Sequence, residues 1–242
     1  MASLPAGKCC TITHNHSGTP IGQLETKFGL NTYVTGLENP TDRVLVILTD
    51  IFGHKYQNTQ LIADQFAKAG KYQVYVPDIL HDDPFDASLG MDAFPEWKSR
   101  HDFDEISSSV DAYLKELRSS LAPGFLGGVG YCLGAKFVIP NLSENGSFDA
   151  GAVAHPSFVD IESVAAIKKP IVISAAESDY IFPPELRHAT EAKLAEIGAR
   201  YQLDLFSGVS HGFACRGDLT QPVVKYAADK AFLDQIQWFS LF

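Results

Sequence analysis

Long apolar runs are missing from this chain. No stretch approaches the ~20 residues needed to span a bilayer, and Met1 to Cys10 has neither the charged start nor the apolar run of a secretory signal. A cytoplasmic location is therefore expected. Cysteine is also scarce: Cys9, Cys10, Cys132 and Cys215 are too few and too scattered for a disulfide framework, and a reducing compartment would leave their thiols free to react. Positive charge is not in excess. A net charge of −10 argues against nucleic acid and anionic membranes as partners, which leaves small molecules. A standard metal-ligand spacing is lacking as well. Cys9 and Cys10 with His14 and His16 offer suitable atoms, but adjacent cysteines chelate one ion poorly, so no metal site is expected. Internal repeats and low-complexity segments are absent.

What is present is globular. Over 242 residues, 45% hydrophobic and 20% charged residues suit one sizeable core, so residues 1–242 are expected to form a single α/β domain with residues 1–24 as an N-terminal arm. Even spacing of Phe28, Leu30 and Val34 marks an edge strand or hairpin. Arg43 to Thr49 is a continuous β-branched run, as expected for a strand covered on both faces. Leu61, Ile62, Phe66 and Ala69 recur at helical spacing up to Gly70, and Gln73 to Pro77 is the next strand. Strand, helix, strand implies a right-handed crossover and a mostly parallel sheet with helices on both faces. His81 to Phe94 reads as a long irregular loop, and Ile106 to Leu117 as an amphipathic helix. Pro222 to Phe239 closes the chain as a helix expected to turn Val223, Tyr226, Ala227, Phe232, Leu233 and Ile236 toward the sheet.

The chemistry centres on Gly130-Tyr131-Cys132-Leu133-Gly134. An apolar strand, Phe125 to Val129, runs into a small-residue turn with one reactive side chain at its apex, and helix formers follow from Ala135. That is the layout of a nucleophile elbow, with cysteine where serine is usual. A free thiol is only about 3% thiolate at neutral pH, and a helix N-terminus or a neighbouring imidazolium raises that fraction. The Leu133 amide stands where it can stabilise a developing oxyanion. A buried core cysteine with glycines for close packing would give the same five residues, so the neighbours decide.

Asp50-Ile51-Phe52-Gly53-His54 breaks the strand that precedes it at its carboxyl end, where open parallel sheets bind ligands. Ile51 or Phe52 could supply a second oxyanion-hole amide. Phe94 to His101 places Trp97 beside Arg100, an aromatic and a cation able to hold a carboxylate-bearing ligand, although a helix start with surface charge has the same composition. Ala150 to Ala154 is a small-residue strand ending in His155, a histidine too early in the chain for the third position of the triad order. Asp179 follows the strand Lys169 to Ala176, and His211 follows the strand Tyr201 to Phe206. Cys132, Asp179 and His211 thus fall beyond three separate strands in the order nucleophile, acid, histidine. The chemistry requires His211 to take the thiol proton and Asp179 to fix the imidazole tautomer.

With these pieces in place, the sequence resembles the dienelactone hydrolases, also called carboxymethylenebutenolidases, and in particular their eukaryotic, fungal-type branch. The resemblance covers nearly the whole chain. It rests on Thr49-Asp50-Ile51-Phe52-Gly53, Val76-Pro77-Asp78, Gly130 to Gly134, Ala154-His155-Pro156-Ser157 and Gly208-Val209-Ser210-His211-Gly212-Phe213. It implies a compact single-domain α/β-hydrolase fold and cysteine-dependent hydrolysis of small lactones or activated esters without a cofactor. It also implies that Asp50 restrains the resting thiol, although bacterial members carry the longer glutamate there. Arg100 and Arg216 resemble the arginines that hold the substrate carboxylate in bacterial members, with Arg216 one residue further from the histidine. Two other functions are compatible with the sequence: a ligand-binding or redox-sensing protein built on a hydrolase scaffold, and a thiol peptidase, for whose extended groove or gating domain the length leaves no obvious room. The assembly is expected to be a monomer or a small homo-oligomer.

Overall fold

The computed structural model describes residues 1–5, 7 and 11–242, so Cys9 and Cys10, and with them the metal reading of the N-terminal arm, lie outside the described residues. Eight strands form one sheet: β1 (Gln23–Lys27), β2 (Leu30–Thr35), β3 (Arg43–Leu48), β4 (Gln73–Pro77), β5 (Phe125–Tyr131), β6 (Ala150–Ala154), β7 (Ile171–Ser178) and β8 (Tyr201–Ser210). The spatial order is β1-β2-β4-β3-β5-β6-β7-β8. β1 and β2 pair antiparallel, as do β2 and β4; every later pairing is parallel. Parallel strands need a crossover each, and these connections place apolar clusters on both faces of the sheet. All six residues of β3 except Arg43 are buried, as its unbroken β-branched run requires.

The helices are α1 (Gln57–Gly70), α2 (Phe94–Ser99), α3 (Phe103–Leu121), α4 (Ala135–Val138), α5 (Ile161–Ala165), α6 (Pro184–Glu196), α7 (Phe213–Arg216) and α8 (Pro222–Phe239). Four details depart from the sequence reading. Gly70 is the last residue of α1 rather than its stop, and Lys71 takes the left-handed φ of 58°. Glycine is needed at Gly70 because a Cβ there would lie 2.1 Å from the Tyr72 ring. The segment 81–94 is not wholly irregular: short 3-10 turns occupy Ala87–Leu89 and Met91–Ala93. β8 runs four residues past Phe206, because an irregularity in β7 between Ala176 and Ser178 lets Ser178 pair with Ser210. Finally, α8 buries Ala227, Ala231, Asp234, Gln235, Trp238 and Phe239, whereas Val223, Tyr226 and Leu233 are exposed. Small Ala227 and Ala231 bring that stripe of the helix close, so Val223, Tyr226 and Leu233 are turned outward while Trp238 and Phe239 pack inward further along.

The N-terminal arm is tied to the loops beyond the strand ends. Ser3 N donates to Val159 O at 2.7 Å and Leu4 N to Ile181 O at 3.2 Å. Further along, His14 N donates to Arg216 O at 3.1 Å, and His16 N to Asn58 Oδ1 at 2.8 Å. Among the described residues no helix is long and apolar enough to cross a membrane.

Candidate active site

β5 delivers its last residue, Tyr131, directly to Cys132, which holds φ at 51°. A left-handed φ costs a residue with a side chain about 1–3 kcal/mol and is retained where the surrounding structure enforces it. Gly134 shows what enforces it here. A Cβ on Gly134 would lie 1.9 Å from the carbonyl oxygen of Leu48, so only glycine lets the turn pass the end of β3. The helical run beyond is short, since α4 stops at Val138 and a 3-10 turn starts at Pro140. Any anion stabilisation therefore comes from the first-turn amides, not from a long macrodipole.

The structure brings the three sequence-predicted groups together. His211 Nε2 lies 3.2 Å from Cys132 Sγ, and His211 Nδ1 lies 2.8 Å from Asp179 Oδ2. The other oxygen of Asp179 accepts from Ile181 N at 2.9 Å and Phe182 N at 3.1 Å. Those two amides fix the carboxylate before any substrate arrives. Burial works against a charged His211, but the negative charge of Cys132 and the hydrogen bond to Asp179 outweigh it and raise the imidazole to about 10. The site thus favours an imidazolium at His211 beside the Cys132 sulfur. Glu177, two residues before Asp179, points elsewhere: it is exposed and accepts from Ser207 Oγ and Gly208 N.

A second group of buried charges flanks the pair. Asp50 Oδ2 lies 3.3 Å from Arg216 Nε, with both side chains almost wholly enclosed. Burial raises the Asp50 carboxyl, Arg216 draws it back down, and the charge of Cys132 pushes it up again. Cys215 Sγ donates to Asp50 Oδ2 at 3.4 Å, and burial pushes that thiol up well above its ordinary range. Phe52 N donates to Asp50 Oδ1 at 3.0 Å, so this amide is engaged by the carboxylate in the resting site. The carbonyl of Ile51 accepts from Phe85 N at 2.8 Å, and this bond fixes the same loop.

Trp97 and Arg100 find their partners within their own segment. Trp97 Nε1 donates to Asp83 O at 2.8 Å, and its ring packs on Phe85, Phe94 and His101. Arg100 is half exposed, pairing with Asp83 at 3.0 Å and Glu96 at 3.7 Å. Arg216 is the arginine next to Asp50, where it also donates through Nη1 to Ile12 O at 2.9 Å.

Two residues close to Cys132, His211 and Asp50 are absent from the sequence-based set of site residues. Ser157 Oγ lies 3.2 Å from Cys132 Sγ and 3.4 Å from His211 Nε2. Its signal was positional, two residues after His155 at the carboxyl end of β6. Cys215 has no comparable signal, because only the fold brings α7 against Asp50. His155 is fully buried, stacked edge-on against His211 with ring centroids 5.0 Å apart. Burial and the nearby cationic His211 hold it well below its ordinary value, so it stays neutral. Among the described residues, His54, Asp78 and Asp82 form the one cluster of metal-ligand types. His54 is paired with Asp78 at 3.3 Å and Asp82 with Lys55 at 2.6 Å.

Comparison with known proteins identifies the family. The dienelactone hydrolase family model matches residues 30–242. The hydrolase tropI of Talaromyces stipitatus is 40% identical over 250 residues, covering 99% of this chain and 98% of that protein. Dienlactone hydrolase 1 of Gibberella moniliformis is 32% identical, covering 97% of this chain and 93% of the relative. Among solved structures, a putative dienelactone hydrolase from Klebsiella pneumoniae superposes with a TM-score of 0.74 at 13% identity, covering 88% of this chain and 93% of its own. That likeness concerns the fold: a mostly parallel sheet flanked by helices. The chain therefore belongs to the dienelactone hydrolase family and is a hydrolase of the ester and lactone type.

Proposed function

We propose that the protein hydrolyses small lactones or activated esters through Cys132, His211 and Asp179, with Cys132 as the nucleophile. The observation that carries this reading is the unbroken line Sγ to Nε2 to Nδ1 to Oδ2, 3.2 Å and 2.8 Å at its two hydrogen bonds, starting from a strained turn. The Cys132 thiolate attacks the carbonyl carbon, and the carbonyl π pair moves to oxygen. Leu133 N–H, with an amide of the Ile51-Phe52 pair, is proposed to hold that oxyanion. The Phe52 amide must first leave Asp50 if it is the second donor. As the tetrahedral intermediate collapses, the carbon–oxygen bond breaks and His211 Nε2–H protonates the leaving alkoxide. In a lactone that new hydroxyl stays attached to the acyl chain. Water then attacks the thioester while His211 takes its proton, and departure of the thiolate restores the starting pair.

A second proposal concerns the substrate. Arg216 is buried beside Asp50, whereas Arg100 is half exposed and ion-paired at the surface. Of the two, Arg216 is better placed to exchange its carboxylate partner for one on the substrate. Turnover of p-nitrophenyl acetate by wild type and by Cys132→Ala tests the catalytic reading. Activity is expected to disappear in the variant and to survive in Cys215→Ala. Full activity in Cys132→Ala would sink the proposal.

A further inference from the structure

The geometry points to Ser157 as a functional third partner of the nucleophile and base: we propose that its hydroxyl donates to the Cys132 thiolate and keeps it charged between turnovers. The inference rests on the catalytic role proposed for Cys132 and adds to it. Ser157 Oγ, Cys132 Sγ and His211 Nε2 form a nearly equilateral triangle with sides of 3.2, 3.4 and 3.2 Å. The hydroxyl is buried, and both its neighbours in that triangle are reacting groups.

The backbone is built to aim it. His155 and Phe158, on either side of Pro156-Ser157, hold left-handed φ values of 38° and 55° without being glycine. Such conformations are unfavourable and collect at functional sites. Ser157 N donates to the carbonyl of Cys132 itself at 3.0 Å, and His155 N to Ser174 O at 2.8 Å. The serine is thereby tethered to the residue whose sulfur it touches.

The charges around Cys132 explain why a neutral donor helps. His211, braced by Asp179 from the β7 loop, favours the thiolate. Asp50, from the β3 loop, opposes it, with Arg216 and Cys215 on α7 attached to that carboxylate. His155, from the β6 loop, is neutral. A hydroxyl donor stabilises the sulfur anion against Asp50 without adding charge and without displacing His211. In the resting state the thiol proton has moved to Nε2 and Ser157 keeps its own. When the sulfur lone pair forms the bond to the carbonyl carbon, the sulfur becomes neutral and the serine hydrogen bond to it weakens. No proton leaves Ser157.

The test is carbamidomethylation of Cys132 by iodoacetamide across pH, read by mass spectrometry of the peptide that carries it. Full-length wild type, Ser157→Ala, Ser157→Gly and Ser157→Thr are compared. Loss of the hydroxyl is expected to move the rise of the rate upward by about one to two pH units in both Ser157→Ala and Ser157→Gly. At alkaline pH both variants should react at least as fast as wild type, since a less stabilised thiolate is the better nucleophile. Ser157→Thr, which restores a hydroxyl, should return the profile toward wild type. A role in packing alone would lower activity in the variants while leaving the Cys132 profile superimposed on wild type, and that result overturns the inference. Failure of the underlying catalytic reading looks different: wild-type Cys132 would itself titrate like an ordinary thiol, or Cys132→Ala would still turn over.

Discussion

Replacing Asp179 by asparagine tests the hydrogen-bond chain at the place where its consequence is sharpest. Asp179 Oδ1 accepts two amides, Ile181 N and Phe182 N. A carbonyl oxygen can keep both, so asparagine is expected to seat its oxygen there and turn its NH2 toward His211 Nδ1. Two donors cannot share one hydrogen bond. His211 must then leave Nδ1 bare and place its proton on Nε2, so it can no longer accept the Cys132 proton. Loss of the correct tautomer in comparable triads lowers kcat by about 10⁴. Losing one charge-assisted hydrogen bond costs about 1.5–3 kcal/mol, which lowers Tm by about 3–12 °C for a chain of this size. The assay is kcat on p-nitrophenyl acetate beside a thermal unfolding scan. A fall of less than tenfold with an intact fold would remove Asp179 from the mechanism.

Three further outcomes follow from the same contacts. Gly134→Ala drives a methyl group into the Leu48 carbonyl, 1.9 Å away, so the elbow must shift; a loss above about 3 kcal/mol in urea unfolding is expected, and a loss under 1 kcal/mol would contradict the close approach. If Arg216 holds a substrate carboxylate, anionic lactones should be favoured over neutral esters by about ten- to 150-fold in kcat/KM. The double variant Asp50→Asn/Arg216→Met, which leaves no unpaired buried carboxylate, should erase that preference and Arg100→Met should keep it; the reverse pattern would assign the role to Arg100. His211 is raised from 6.5 to about 10 in the folded protein, and its proton is the one Cys132 gives up, so the folded pair holds more protons than the unfolded chain only above the ordinary thiol value of about 8.5. The unfolding free energy of wild type should fall more steeply from about pH 8.5 toward about 10 than that of Cys132→Ala/His211→Asn, and equal slopes would contradict the charged pair.

The fold was largely legible because its signals are local. The unbroken apolar run of β3 and the small-residue run of β6 specify buried parallel strands, and each appeared close to where it was expected. The triad candidates were legible for a related reason: in a parallel sheet, side chains just beyond the strand ends converge wherever the strands lie in the chain. α8 shows the limit. Helical spacing marked the helix, but Val223, Tyr226 and Leu233 are exposed while Asp234 and Gln235 are buried, because close approach through Ala227 and Ala231 decided the packed face. Ser157 and Cys215 mark a second limit. Their roles depend on contacts across 25 and 165 residues of chain, which no local pattern encodes. Trp97 and Arg100 were chosen for their chemistry, yet the hydrogen bonds to the Asp83 carbonyl and carboxylate hold them within their own segment.

The central claim, that Cys132 forms a covalent bond to the acyl group, is tested most directly by trapping that intermediate. Wild-type protein mixed with p-nitrophenyl acetate, quenched in acid within one turnover and digested, should carry an acetyl group on the peptide containing Cys132, at a level matching the burst of p-nitrophenol. The label should be absent from Cys132→Ala. An acetyl group found instead on Ser157, on Cys215 or on no residue, with turnover intact, would contradict the account.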